Sequence, residues 1–150
     1  MENKTLHILL ADDDQDDCEL FQEALAEIPV NAQLTIVNNG KLLMEWLTEH
    51  PSELPDLLFL DLNMPCKNGL ECLNEIRRVH YLKSLAIIIL SLTVNHTLVD
   101  ELYTNGALYY VQKPNSVEAL TQIIQQALSM LKEKKWVQRS RQDFVMRSSN

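Results

Sequence analysis

The sequence predicts an α/β domain in which an open parallel sheet carries helices on both faces. Five short apolar runs recur along the 150 residues. Several are apolar throughout rather than alternating, as strands buried on both faces require. Segments with three- and four-residue apolar spacing lie between the runs. Each return to a parallel neighbour needs such a crossover. At 17.3 kDa the chain has the size of one core.

The first predicted strand is Leu6–Ala11, followed by a helix with Asp14 as N-cap and a stripe of Cys18, Phe21, Leu25 and Ile28. The second strand is Leu34–Val37, and a helix over about 41–49 leads to the third, Leu57–Leu60. A second stripe, Leu70, Leu73, Ile76 and Val79 or His80, precedes the fourth strand, Ala86–Leu90. A helix over about 97–103 and a fifth strand, Leu108–Val111, come next. The last stripe is Val117, Leu120, Ile124, Ala127 and Leu131. The domain is therefore expected to span 1–131. Residues 132–150 are a basic extension, read as either a continuation of the last helix or a mobile tail.

Composition narrows the classes. With 46% hydrophobic and 23% charged residues the chain is globular, not disordered. No apolar run approaches the ~20 residues of a membrane span, and no signal peptide is visible, so a cytoplasmic protein without membrane contact is expected. Cys18, Cys66 and Cys72 form no CxxC pair and are read as reduced packing thiols. Residues 1–130 hold 7 Lys and Arg against 19 Asp and Glu, whereas 131–150 hold 6 against 2. An acidic body disfavours direct nucleic-acid binding. Neither GxxxxGK[ST] nor GxGxxG occurs, which argues against a nucleotide loop.

The polar residues directly past each apolar run carry the chemistry. The first run ends in Asp12-Asp13-Asp14, the third in Asp61-Leu62-Asn63, the fourth in Ser91 and the fifth in Gln112-Lys113-Pro114. Ligands of open parallel sheets bind beyond the carboxyl ends of the strands, where strand order reverses. Asp12, Asp13 and Asp61 gathered there would repel one another unless a cation neutralised them. An oxygen-only donor set suits Mg²⁺ or Mn²⁺. A carboxylate beside a metal and a lysine is equipped to attack phosphorus and become an aspartyl phosphate. Asp14, Asp16 and Asp17 are read as a solvated acidic first turn. His7, His50, His80 and His96 have no metal spacing and receive no role.

At these residues the chain resembles the receiver domain of two-component response regulators. The match comprises Asp12-Asp13 after Ile-Leu-Leu-Ala, Leu60-Asp61-Leu62-Asn63-Met64-Pro65 with Gly69 four residues later, Ser91, and Lys113-Pro114. The resemblance covers roughly residues 5–130 and implies a flavodoxin-like (βα)5 fold with a doubly wound, five-stranded parallel sheet. It implies Asp61 as phosphoacceptor. It implies Mg²⁺ held by Asp13, Asp61 and the Asn63 carbonyl, with Asp12 acting mainly through water. Lys113 would pair with the acceptor and then the phosphoryl group, Ser91 would contact a phosphoryl oxygen, and Tyr110 would be the aromatic that turns inward. Lys113–Pro114 would be a cis peptide.

The loop sequence and the lack of an output domain look most like the stand-alone regulators that serve phytochrome-type sensor kinases. The implied partners are a sensor histidine kinase or phosphotransfer protein and, for output, another protein or a second copy of the chain. Leu92 stands where the family usually has a small residue, and its bulk is expected to narrow access. Cys66 comes after Pro65 in the loop without an assigned role. Two alternatives stay open: a pseudo-receiver that is never phosphorylated, and an aspartyl phosphatase. The latter is disfavoured by Asn63, which offers no acid two residues after Asp61. Trp136, Val137, Phe144 and Val145 are either a contact surface or a loosely attached end.

Overall fold

The structure, a computed structural model, describes residues 5–132, 138 and 140–146. In chain order the elements are β1 (Leu6–Ala11), α1 (Gln15–Ala26), β2 (Ala32–Val37), α2 (Gly40–Glu49), β3 (Leu57–Asp61) and α3 (Gly69–Arg78). After a 3₁₀ turn at His80–Leu82 come β4 (Ile87–Ser91), α4 (Val99–Thr104), β5 (Tyr109–Gln112) and α5 (Val117–Lys132). A second 3₁₀ turn (Arg141–Asp143) leads to β6 (Val145–Met146). The sheet order is β2-β1-β3-β4-β5-β6, and every pairing is parallel. The order reverses between β1 and β3, so the crevice lies at the ends of these two strands.

The apolar strands are buried on both sides because residues two apart face the same layer. Ile8, Leu10, Phe59, Ile88, Leu90 and Val111 meet α1 and α5 through Phe21, Leu25, Ile124 and Leu128. Leu9, Leu58, Leu60, Ile87 and Ile89 meet α2, α3 and α4 through Leu43, Leu47, Leu73, Ile76 and Leu102. Tyr109 and Tyr110 fall in opposite layers, as alternation requires. Arg77 pins one flank: its guanidinium donates to the carbonyls of Asn105 (2.9 Å), Gly106 (3.0 Å) and Leu85 (3.0 Å). It thereby ties the end of α3 to the turns that enter β4 and β5.

The expected five strands are six. The additional strand comes from the extension read as a helix continuation or mobile tail. β5 would otherwise be an open edge with unpaired backbone groups. Tyr110 N–H donates to the Phe144 carbonyl at 3.1 Å, and Tyr110 and Val111 lie opposite Val145 and Met146. Phe144 is fully buried and meets the Tyr103 ring edge-on, with centroids 5.2 Å apart. The Gln138 amide donates to the Tyr103 and Ala107 carbonyls at 2.6 and 2.8 Å. Phe144 is therefore a core residue; Trp136 and Val137 lie outside the described residues. Phe144→Ala is expected to lower unfolding free energy by about 3 kcal/mol, read by urea denaturation. An unchanged midpoint would mean that Phe144 adds nothing to the core.

Candidate functional site

Three strand ends build the charged part of the site. β1 delivers Asp12 and Asp13, β3 delivers Asp61, and the turn after β5 delivers Lys113. Asp12 and Asp61 are buried, at 1% and 4% exposure, and Asp13 is open to solvent. One carboxylate oxygen from each lies within 4.8 Å of those of the other two. The loop after β3 must therefore turn back sharply, and Gly69 permits it. A Cβ there would stand 2.6 Å from the Asp61 carbonyl oxygen, and its N–H donates to the Leu62 carbonyl at 2.9 Å. Asn68 then caps α3 through a capping box with Glu71. Cys66 takes a left-handed conformation (φ 69°) in this loop, where it is exposed.

Backbone donors orient the acids. Asp14 N–H donates to Asp12 Oδ1 at 3.0 Å, and Asn63 N–H donates to Asp61 Oδ1 at 3.3 Å. The other oxygens face Lys113, whose Nζ stands 3.0 Å from Asp12 Oδ2 and 3.5 Å from Asp61 Oδ2. Burial pushes the Asp61 carboxyl up to about 7; Lys113 opposes the rise and Asp12 adds to it. Burial likewise raises Asp12, against the Asp14 hydrogen bond and Lys113. Burial alone would lower the Lys113 ammonium, but Asp17, Asp12 and Asp61 together hold it above its ordinary value.

Asp12, Asp13, Asp17 and Asp61 share the single Lys113 ammonium, so acid groups outnumber the positive charge in this pocket. A divalent cation fits that deficit, and oxygen donors alone suit Mg²⁺ or Mn²⁺.

Ser91 lies at the end of β4, fully buried. Its hydroxyl donates to the Thr93 carbonyl at 2.6 Å and sits 3.0 Å from the hydroxyl of Tyr110. Tyr110 is turned inward and fully buried, and its oxygen accepts from Asn95 N–H at 2.8 Å. Lys113 N–H donates to the Ser91 carbonyl at 2.7 Å. The Asn63 side chain is exposed. Leu92 is 67% exposed, so its side chain is not part of the core.

One expectation is overturned. The Lys113–Pro114 peptide is trans, as is every peptide bond among the described residues. The trans form of an X–Pro bond is favoured by about 0.5–1 kcal/mol. Lys113 already reaches Asp12 and Asp61 from it, so nothing here demands the costlier isomer. One residue was missed: Asp17 belongs to the site, with an Oδ2 2.6 Å from Lys113 Nζ. It directly precedes buried Cys18, four residues before buried Phe21, and that helical phase was the available signal.

The geometry gathers three acids and an ammonium at a topological switch point, and comparison with known proteins identifies the family. The response regulator receiver domain pattern matches residues 8–125, and the chain belongs to that family. It is 31% identical over 122 residues to the response regulator Rcp1 of Synechocystis sp., covering 79% of this chain and 83% of Rcp1. Among solved structures, the phosphorylated cyanobacterial phytochrome response regulator RcpA superposes with a TM-score of 0.79 at 29% identity, covering 88% of this chain and 97% of RcpA. The Mn²⁺-bound form of Rcp1 superposes with a TM-score of 0.75 at 29% identity, covering 90% and 99%.

The raised Asp61 carboxyl has a stability consequence. Folded Asp61 holds its proton more tightly than the unfolded chain does, so its contribution favours folding at low pH and is lost as pH rises through about 7. In EDTA, Asp61→Asn should therefore stabilise the protein by roughly 2 kcal/mol near pH 8 and progressively less toward pH ~4. Urea titrations across that range measure it. An equal effect at every pH would remove the titration as its cause.

Proposed function

We propose that this receiver accepts a phosphoryl group on Asp61 from the phosphohistidine of a sensor histidine kinase or phosphotransfer protein. The proposal rests chiefly on one arrangement: a buried carboxylate within 4.8 Å of two further carboxylates and 3.5 Å from an ammonium. An Asp61 oxygen attacks phosphorus, the phosphorus–nitrogen bond breaks, and the imidazole nitrogen leaves with the electron pair. Asp12, Asp13, Asp61 and the Asn63 carbonyl are assigned to hold Mg²⁺ or Mn²⁺, which when bound neutralises charge on the transferring oxygens. Lys113 supplies the protein's own positive charge to those oxygens.

Ser91 is assigned to a phosphoryl oxygen, which requires its hydroxyl to leave Thr93 and Tyr110. Such a move would carry Tyr110 and the β4–α4 loop at Thr93 and Asn95 with it, since both share that hydrogen-bond cluster. The output is read as docking on another protein or a second copy through the α4, β5 and α5 face. Direct nucleic-acid contact is disfavoured by the acidic body. No helix among the described residues is long and apolar enough to cross a membrane. Together with the unpaired cysteines this favours a cytoplasmic location.

Acetyl phosphate with Mg²⁺ should add one phosphoryl mass to Asp61, and neither Asp61→Asn nor wild type in EDTA should gain it. Failure of the wild type with every donor would leave a pseudo-receiver. Chromatography with and without beryllofluoride should show a change in oligomer size; identical elution would exclude regulated self-association.

A further inference from the structure

We propose that Asp17 is a positioning residue of the phosphoryl-transfer site, one that draws the Lys113 ammonium toward α1 and thereby slows phosphorylation of Asp61. The inference rests on the receiver reading of the site. Its first support is geometric. Of the three carboxylates around Lys113 Nζ, Asp17 is nearest at 2.6 Å, Asp12 is next at 3.0 Å, and the acceptor Asp61 is farthest at 3.5 Å. The Asp17 contact is a hydrogen bond as well as an ion pair, whereas Asp61 at 3.5 Å is an ion pair alone. A phosphoryl oxygen reaching for Lys113 must therefore compete with the Asp17 carboxylate for its N–H donors.

The second support is that α1 does not need this carboxylate for its own start. Asp14 is the N-cap, and its side chain accepts the Asp17 N–H at 3.0 Å. The Asp17 side chain is free to turn the other way, across 96 positions of sequence, to the turn after β5. The pair is also sheltered, with the Lys113 side chain 10% and the Asp17 side chain 29% exposed, so salt screens it less than an open surface pair. A shallow recess between α1 and α5, walled by Leu20, Phe21, Leu90 and Pro114, flanks both residues and keeps the contact beside apolar surface.

The sign comes from charge. A carboxylate beside the ammonium reduces the positive potential offered to an anionic donor and to the equatorial oxygens in the transition state. Asp17→Asn keeps the shape and a hydrogen-bond acceptor but removes the charge. It should raise the second-order rate constant for phosphorylation by acetyl phosphate about fivefold. Asp17→Glu should restore the wild-type rate. Asp16→Asn, a charge loss at an exposed position in the same turn, should change the rate less than twofold or so.

A double-mutant cycle separates an effect through Lys113 from a general charge effect. On a Lys113→Ala background, Asp17→Asn should leave the residual rate unchanged. A rate that is unaltered or lowered by Asp17→Asn, or raised equally without Lys113, overturns the proposal. A wild type that takes no phosphoryl group removes the phosphoacceptor reading of Asp61 instead. The Lys113 side-chain resonances in unphosphorylated protein still decide the restraint in that case. They should shift and sharpen in Asp17→Asn relative to wild type, and unchanged resonances overturn it.

Discussion

The constraint on which the rest of this structure depends is the gathering of acid groups at the switch point of the sheet. Asp12 and Asp61 are removed from water at neighbouring strand ends, with Asp13 within ligand distance of both. Charges so placed are costly unless hydrogen bonds and a counter-charge hold them. The local architecture answers that cost in detail. The Asp14 and Asn63 amides each take one carboxylate oxygen, and Gly69 lets the β3–α3 loop fold back over Asp61. Lys113 provides the positive charge. It is held at a defined height by its own N–H on the Ser91 carbonyl. The excess of acid groups over that one ammonium is what suits the pocket to a divalent cation.

A second network runs away from the charges toward the far edge of the sheet. The hydroxyls of Ser91 and Tyr110 meet at the end of β4, joined by the Thr93 carbonyl and the Asn95 amide. On the backbone side, Tyr110 is gripped by the Phe144 carbonyl and lies in register with Val145. The residue assigned here as the inward-turning switch is thus held from one side by the site and from the other by the sixth strand. Gln138 and Arg77 fasten the same region, since both donate to carbonyls of the α4–β5 turn or its neighbours. Movement of the Ser91 hydroxyl would be felt first by this fastened block, because packed elements shift as units rather than deforming continuously.

Much of this was legible in the chain before folding. The uniformly apolar runs Ile8–Leu10 and Ile87–Leu90 could only be strands covered on both faces, and α1, α3 and α5 are dictated by their apolar spacing. Asp12, Asp13, Asp61, Ser91 and Lys113 were legible because each stands within two positions of the end of such a run, and the end of a parallel strand fixes where its next residues go. The alternation of Tyr109 and Tyr110 likewise needed nothing beyond the two-residue period of a strand.

The folded chain alone decided the contacts between segments distant in sequence. β6 has two residues and no periodicity to announce it; it exists because β5 presents an edge and Phe144 finds space beside Tyr103. Asp17 looked like one more acid in a solvated first turn, and only the packing of α1 against α5 brings it to Lys113. The trans isomer at Pro114 was also beyond the local sequence, since the two isomers differ by about 1 kcal/mol or less and the surrounding fold selects between them. Strand ends are local consequences of composition, whereas an edge pairing, an ion pair across 96 residues and an isomer choice depend on where the whole chain has come to rest.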